Sequence, residues 1–125
     1  MLEFSHVNIR TTNLSQMVAW YGDVLGLQAG PRPGFSFNGA WLYLGELPVI
    51  HLVETENTDP PGRTTQLEHM SFSANDYTTF VKHLREHEVS YREVKIDDEV
   101  AQMIQVHIAD PDNNHVHIDF PLQDD

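Results

Sequence analysis

The feature that most constrains this chain is an internal repeat that carries a histidine at each of four matching points. Residues 6–10, HVNIR, correspond to residues 69–73, HMSFS, which lie 63 positions later. Residues 49–52, VIHL, correspond to residues 115–118, HVHI, which lie 66 positions later. A chain of 125 residues is the length of one domain. The repeat therefore predicts one domain built from two similar modules.

Each half alternates the period of two that is typical of strands with the period of 3.6 that is typical of helices. The first half predicts a strand over 2–11, a helix over 14–25 and strands at 35–37, 40–44 and 49–54. The second half predicts a strand over 67–73, a helix over 77–88 and strands at 90–94, 103–109 and 115–120. Both halves therefore have the order β-α-β-β-β, with module one at 1–54 and module two at 66–121. Residues 55–65, which contain the sequence PPG, form the predicted linker within a single domain 1–125.

Capping residues mark the ends of the two predicted helices. Asn13 is a predicted N-cap, with Gln16 three positions later as in a capping box, and Gly26 supplies the stop. Asn75 or Asp76 is the predicted N-cap of the second helix.

The alternation of side chains along a strand places the four repeated histidines on one face. Successive strand residues point to opposite sides of a sheet. His6, His51, His69 and His117 therefore point away from the apolar neighbours that suit a face covered by helices. Neutral imidazole is the commonest protein ligand for metals, so these four histidines are the predicted metal ligands.

The types of ligand atom do not determine which metal is bound. The chain has no cysteine, so thiolate ligands are excluded. Imidazole ligands suit Fe(II), Ni(II), Co(II), Zn(II) and Cu(II) alike. We therefore expect one divalent transition metal per site, of unknown identity.

Charge and hydropathy exclude several classes of partner. The formal net charge is −12, which argues against nucleic acid and against anionic membrane surfaces. The sequence has neither a long apolar run nor a basic leader, so a soluble, cytoplasmic protein is expected. The partners that remain are a small-molecule substrate and a second copy of the chain.

Two segments resemble the vicinal oxygen chelate superfamily. The first runs from His6 to Leu27 and includes the sequence WYGDVLGL; the second is the turn DPDNN at 110–114, which resembles the superfamily's Asp-Pro-x-Gly-Asn element. That superfamily includes glyoxalase I, extradiol dioxygenases and the bleomycin resistance proteins. The resemblance covers essentially the whole chain. It implies an α+β fold in which two repeated β-α-β-β-β modules form an eight-stranded cup with helices on the convex face.

The resemblance also implies a ligand set and roles for other residues. The superfamily's ligand positions fall on the same four histidines, but relatives such as glyoxalase I have a glutamate where this chain has His117. A carboxylate ligand of that kind also acts as a base, so Asp119 is the substitute base that we expect. Arg10 resembles a glyoxalase I position that contacts the substrate carboxylate. The expected substrate-binding residues are Asn8, Arg10, Trp41, Tyr43, His107 and His115. The alternative for the two histidines is that they hydrogen-bond to a metal ligand and orient it.

The expected function is that of a metal-dependent enzyme which binds a small substrate through neighbouring oxygens. Its chemistry is that of a lyase or isomerase, or of a dioxygenase. The alternative is a protein without chemistry that sequesters a ligand, as the bleomycin resistance proteins do, since an acidic chain suits a cationic drug. A homodimer is expected, and the sequence leaves open whether a site forms within one chain or is shared between two.

Overall fold

The computed structural model describes residues 3–56 and 68–122, and it confirms the α+β class and the repeated module. The chain divides into two compact units, 1–63 and 64–125. Each unit contains a four-stranded sheet and one helix in the predicted order. The predicted linker, apart from Thr55 and Glu56, lies outside the described residues.

The first module has one strand, a helix and three further strands. Their bounds are β1 Val7–Thr11, α1 Leu14–Leu25, β2 Gln28–Gly30, β3 Gly39–Leu44 and β4 Leu47–Glu54. The order across the sheet is β1-β4-β3-β2, with β1 parallel to β4 and the other pairs antiparallel. The first strand of the module therefore lies beside the last one.

The second module repeats this topology. Its elements are β5 His69–Ser73, α2 Tyr77–Glu86, β6 Arg92–Asp97, β7 Gln102–Ala109 and β8 His115–Pro121. The order is β5-β8-β7-β6, again with the first and last strands parallel. The two helices begin at Leu14 and Tyr77, at the predicted offset of 63.

The helix ends confirm part of the predicted capping. Gly26 ends α1 in the left-handed conformation, at φ 73°. The Asp76 side chain accepts a hydrogen bond from the Thr79 N–H, at 3.2 Å, and so caps α2. The capping box at Asn13 was wrong, because the Asn13 side chain makes no capping bond. The N–H of Asn13 donates instead to Thr11 Oγ1, at 2.9 Å.

Two predicted elements are corrected by the structure. The helix α2 ends at Glu86 rather than at Glu88, because Glu88 has a left-handed φ of 56°. Residues 35–37 are a loop and not a strand. The strand that pairs with β3 on the side away from β4 is β2, directly after α1, and it is followed at once by Pro31, which has no N–H to donate to a sheet.

The core of each module lies between its helix and one face of its sheet. In the first module Met17 and Tyr21 of α1 are buried with Ile50 and Leu52 of β4. In the second, the rings of Tyr77 and Phe80 on α2 pack on Phe120 of β8. The opposite face of each sheet carries the histidines, as the alternation predicted.

Candidate metal centre

Strand register gathers the polar side chains of the second module on one face. His69 lies opposite His115, and His117 lies between Ser71 and His107 on the neighbouring strands. The group that results is called here the histidine cluster, and its members are Glu68, His69, Ser71, Gln105, His107, His115, His117 and Asp119. Apart from the pair His69 and His107, the ring centroids of its four imidazoles lie 4.5–6.0 Å apart.

His117 is the most enclosed member, with 7% of its side chain exposed. Its Nδ1 lies 2.7 Å from Oδ1 of Asp119, and Ser71 donates to the other oxygen of the same carboxylate, at 3.1 Å. A carboxylate that accepts the Nδ1 proton fixes the tautomer and leaves Nε2 with its lone pair. The arrangement therefore suits His117 either as a metal ligand or as half of a proton-transferring pair with Asp119.

Glu68 joins two other histidines of the cluster. Its Oε1 lies 2.9 Å from Nδ1 of His69 and 2.8 Å from Nδ1 of His115. Hydrogen bonds from His115 and His69 hold the pKa of the Glu68 carboxyl below its ordinary value. These three residues offer ligand atoms that all lie within 4.8 Å of one another.

His107 extends this group toward β6. Its Nδ1 lies 2.7 Å from Nε2 of His115, and its Nε2 lies 3.0 Å from Oε1 of Gln105. Burial lowers the pKa of His107, and the nearby His117 and Arg92 lower it further. The imidazole is therefore favoured in its neutral form.

The first module has a different arrangement, a stack of three rings. The centroids of His6 and His51 lie 3.7 Å apart with their planes 10° from parallel, and Trp41 stacks on the other side of His51 at 3.9 Å. Burial lowers the pKa of His51, and His6 lowers it further. Imidazole lone pairs lie in the plane of the ring. An ion shared by both histidines therefore requires one ring to rotate out of the stack.

Comparison with known families decides the affiliation of this fold. Residues 3–118 match the model of the Glyoxalase/Bleomycin resistance protein/Dioxygenase superfamily. The chain belongs to this superfamily. No curated protein matches the chain by sequence. The predicted resemblance is thus confirmed, and the superfamily is typically metal-dependent.

Solved structures of superfamily type share the fold at low sequence identity. A glyoxylase/bleomycin resistance protein/dioxygenase domain from Frankia sp. EAN1pec has a TM-score of 0.78 at 19% identity, covering 97% of this chain and 98% of that one. A glyoxalase/dioxygenase from Nostoc punctiforme has a TM-score of 0.78 at 15% identity, covering 97% and 92%. A lactoylglutathione lyase from Agrobacterium tumefaciens has a TM-score of 0.67 at 16% identity, covering 93% and 91%. At these identities the likeness concerns the fold alone.

The possible ligand atoms of this chain suit a divalent transition metal. The histidine cluster offers imidazole nitrogens and carboxylate oxygens, and both are common ligands of Zn²⁺ and Fe²⁺. In the described part of the chain, one group of three such residues has ligand atoms close enough to hold an ion, namely Glu68, His69 and His115. The four-histidine ligand set stays a prediction.

The predicted substrate-binding residues of this chain fall into two groups. His107 and His115 lie in the histidine cluster. In the first module Asn8 and Arg10 are exposed on β1, and their side chains make no hydrogen bond or ion pair to the residues that the structure describes. Tyr43 packs against Gly30 and donates its hydroxyl proton to the Pro31 carbonyl, so part of its surface serves the packing of its own module.

Sequence reasoning missed three members of the cluster: Glu68, Ser71 and Gln105. Ser71 shares a face with His69, and Gln105 shares a face with His107, so strand alternation was the signal for both. Glu68 precedes β5 and follows no such rule; its position beside His69 was the only sign. None of the helices in the described ranges has the length and apolar character needed to cross a membrane.

Proposed function

We propose that this protein is a metal-dependent enzyme of the glyoxalase type, which moves a proton on a small substrate bound through two neighbouring oxygens. The observation that supports the proposal is the histidine cluster, in which four imidazoles and two carboxylates share one face of a sheet. A divalent ion, when bound, supplies Lewis-acid stabilisation of negative charge on substrate oxygens.

Lyase or isomerase chemistry is favoured over oxygen chemistry by the two carboxylates. Such reactions need a base beside the metal. Asp119 fits this role because its side chain is 20% exposed and is oriented by Ser71 and His117. Arg10 is proposed to bind the anionic group of the substrate, since its guanidinium is exposed and has no described partner.

The test is metal analysis followed by activity measurement on protein prepared without chelators or nickel resin. We expect about one equivalent of a transition metal, together with glyoxalase-type isomerisation that the metal supports. Isomerisation should fall in Asp119→Asn while the metal content stays unchanged. Oxygen uptake without isomerisation would instead assign the protein to dioxygenase chemistry. The absence of both reactions would contradict the enzyme proposal.

Ligand sequestration is the second candidate, and an aromatic group in the first module favours it. Phe35 and Phe37 are exposed, stack at 4.9 Å and lie near the Arg32 guanidinium, at 5.0 and 5.4 Å. Exposed aromatic rings suit a flat ligand, and the net acidity of the chain suits a cationic one. Tight binding of such a ligand by protein without metal, with no turnover, would support this function over catalysis.

The remaining partners are proposed on the grounds of charge and family. We infer a cytoplasmic homodimer with neither nucleic-acid nor membrane partners, in keeping with the net charge of −12. Measurement of the mass in solution tests the dimer.

A further inference from the structure

We propose that Glu68, His69 and His115 form a three-ligand site for a divalent transition metal, oriented by His107 and Gln105. The inference rests on the proposed function in placing a metal in the histidine cluster, and it goes further by naming the ligands of that metal in the second module. It departs from the four-histidine set that the repeat predicts. Two of its ligands, Glu68 and His115, have neither histidine nor glutamate at the equivalent position of the first module. Ser5 and Val49 occupy the equivalent positions in the first module.

Distances among the three residues support a common ion. One oxygen of Glu68 lies within 3 Å of a nitrogen from each histidine, at 2.9 and 2.8 Å. All three ligand atoms lie within 4.8 Å of one another. Ligands of one transition metal at about 2.0–2.2 Å from the ion lie at separations of this order.

Contacts behind His115 fix the orientation of its ring. Oε1 of Gln105 lies 3.0 Å from Nε2 of His107. Nδ1 of His107 lies 2.7 Å from Nε2 of His115, so these two nitrogens share one hydrogen bond. These contacts hold the His115 ring with its Nδ1 toward Glu68, 2.8 Å from Oε1. The Gln105 amide nitrogen faces Met103 Sδ, at 3.8 Å, which agrees with this orientation of the amide.

Nδ1 of His69 and Nδ1 of His115 both face the same carboxylate oxygen of Glu68. A divalent ion that displaces the protons between these atoms would bind Glu68 and both imidazoles at once. Metal-ligating histidines usually form a hydrogen bond through their other ring nitrogen, and the contacts of His115 with His107 and of His107 with Gln105 are of this kind.

Accessibility and donor chemistry agree with an exchangeable site. The Glu68 side chain is 65% exposed, so an ion can enter from solvent. Two imidazoles and one carboxylate form the set of catalytic zinc sites and of non-haem iron sites, both of which keep open positions. Such positions are those that a substrate with two neighbouring oxygens needs. His117 is different, because its Nδ1 is held by Asp119 and its ring is nearly enclosed.

The experiment is a titration of metal-free, full-length protein with Zn²⁺ by calorimetry and with Co²⁺ by visible absorption. The informative variants are Glu68→Gln and His115→Ala, and the matched control is Glu93→Gln, an exposed glutamate on β6. Circular dichroism checks that each variant is folded. We expect one equivalent to bind, with affinity about 100-fold weaker in Glu68→Gln and His115→Ala and unchanged in the control. Gln105→Leu should weaken affinity by about 10-fold or more, since it removes the acceptor that orients His107.

The variant His117→Ala separates this proposal from the ligand set of the repeat. We expect its Zn²⁺ affinity to change by less than about 5-fold, with the Co²⁺ spectrum retained. Loss of binding in His117→Ala, with normal binding in Glu68→Gln, would overturn the inference and leave the proposed metal enzyme standing with other ligands. No binding by the unaltered protein would also overturn it. Binding as expected without any isomerisation would support the site and contradict only the proposed function.

Discussion

Asp119 Oδ1 lies 2.7 Å from Nδ1 of His117, two residues earlier on the same strand. Residues two apart on a strand share a face, so β8 itself sets up this pair. The Ser71 hydroxyl on the neighbouring strand holds the second carboxylate oxygen, at 3.1 Å. The carboxylate is thus oriented by hydrogen bonds from two strands.

The first prediction follows from this orientation. Asp119→Asn removes the basic oxygen but keeps the size of the side chain, so we expect kcat to fall by about 10²–10⁴-fold. Metal content should be unchanged if the ion is held by Glu68, His69 and His115. Paired measurements of kcat and bound metal test this, with Asp97→Asn on β6 as the control. Equal activity in the two variants would show that Asp119 is not the base.

The second prediction concerns the stack of His6, His51 and Trp41. If His6 and His51 bind one ion together, a ring must leave the stack, and the environment of Trp41 changes. Trp20→Phe leaves Trp41 as the one tryptophan of the chain. Because Glu68, His69 and His115 are the proposed ligands, we expect its emission to stay constant on addition of one equivalent of Zn²⁺; a change would show that the first module supplies ligands. Constant emission with one bound ion would confine the ligands to the second module.

The third prediction concerns two glycines of the first module. A Cβ at Gly39 would overlap the backbone carbonyl oxygen of Leu52 on β4 and press on Arg32 Nη2, 3.2 Å away, whereas a Cβ at Gly34 would meet nothing within 4 Å. We expect Gly39→Ala to lower the free energy of unfolding by about 1–3 kcal/mol, which is typical of an inserted group that forces the backbone to shift. Gly34→Ala should be close to neutral. Urea denaturation of both variants tests the contrast, and equal stability would contradict it.

The fourth prediction concerns pH and Asp98, which lies in the turn between β6 and β7. The N–H groups of Ala101 and Val100 donate to its carboxylate and hold its pKa below the ordinary value of 3.8. The unfolded chain therefore binds this proton at higher pH than the folded chain does. The stability that the carboxylate contributes is present above pH 3.8 and is lost as the pH falls through the folded pKa.

Asp98→Asn tests this linkage because the amide keeps an acceptor oxygen without the charge. We expect the unaltered protein to be the more stable at pH 7, and the difference to shrink as the pH falls below 4. Unfolding curves at pH 7, 5 and 3 give the comparison. A difference that does not depend on pH would show that the charge contributes nothing.

Much of the architecture was predictable because it depends on periodicity. The offset of 63 between Leu14 and Tyr77 and the faces of His51, His69 and His117 all follow from alternation and repeat. The short strand Gln28–Gly30 was not predictable in this way, since three residues carry almost no periodic signal. Residues 35–37 were wrongly predicted to be a strand, because Phe35 and Phe37 alternate with a polar residue as strand residues do.

The contents of the site were predictable only in part. Alternation indicated that His107 and His115 share a face with His117, but not that they form one chain of hydrogen bonds with Glu68. That chain depends on the register of β5, β7 and β8 and on side-chain torsions. The stacking of His6 on His51 likewise depends on ring orientation, which a pattern of residue types does not contain.

The parallel pairing of β5 with β8 has a kinetic consequence. It joins partners far apart in the chain, as in the contact of Ser71 with His117, which are separated by 46 positions. Contacts of this kind form late, because the intervening loop must first be closed at an entropic cost. During synthesis, a chain that has not yet released β8 holds Glu68 and His69 without His115. If Glu68, His69 and His115 bind a metal as proposed, the nascent protein should therefore acquire that affinity in one step, when its last strand is placed.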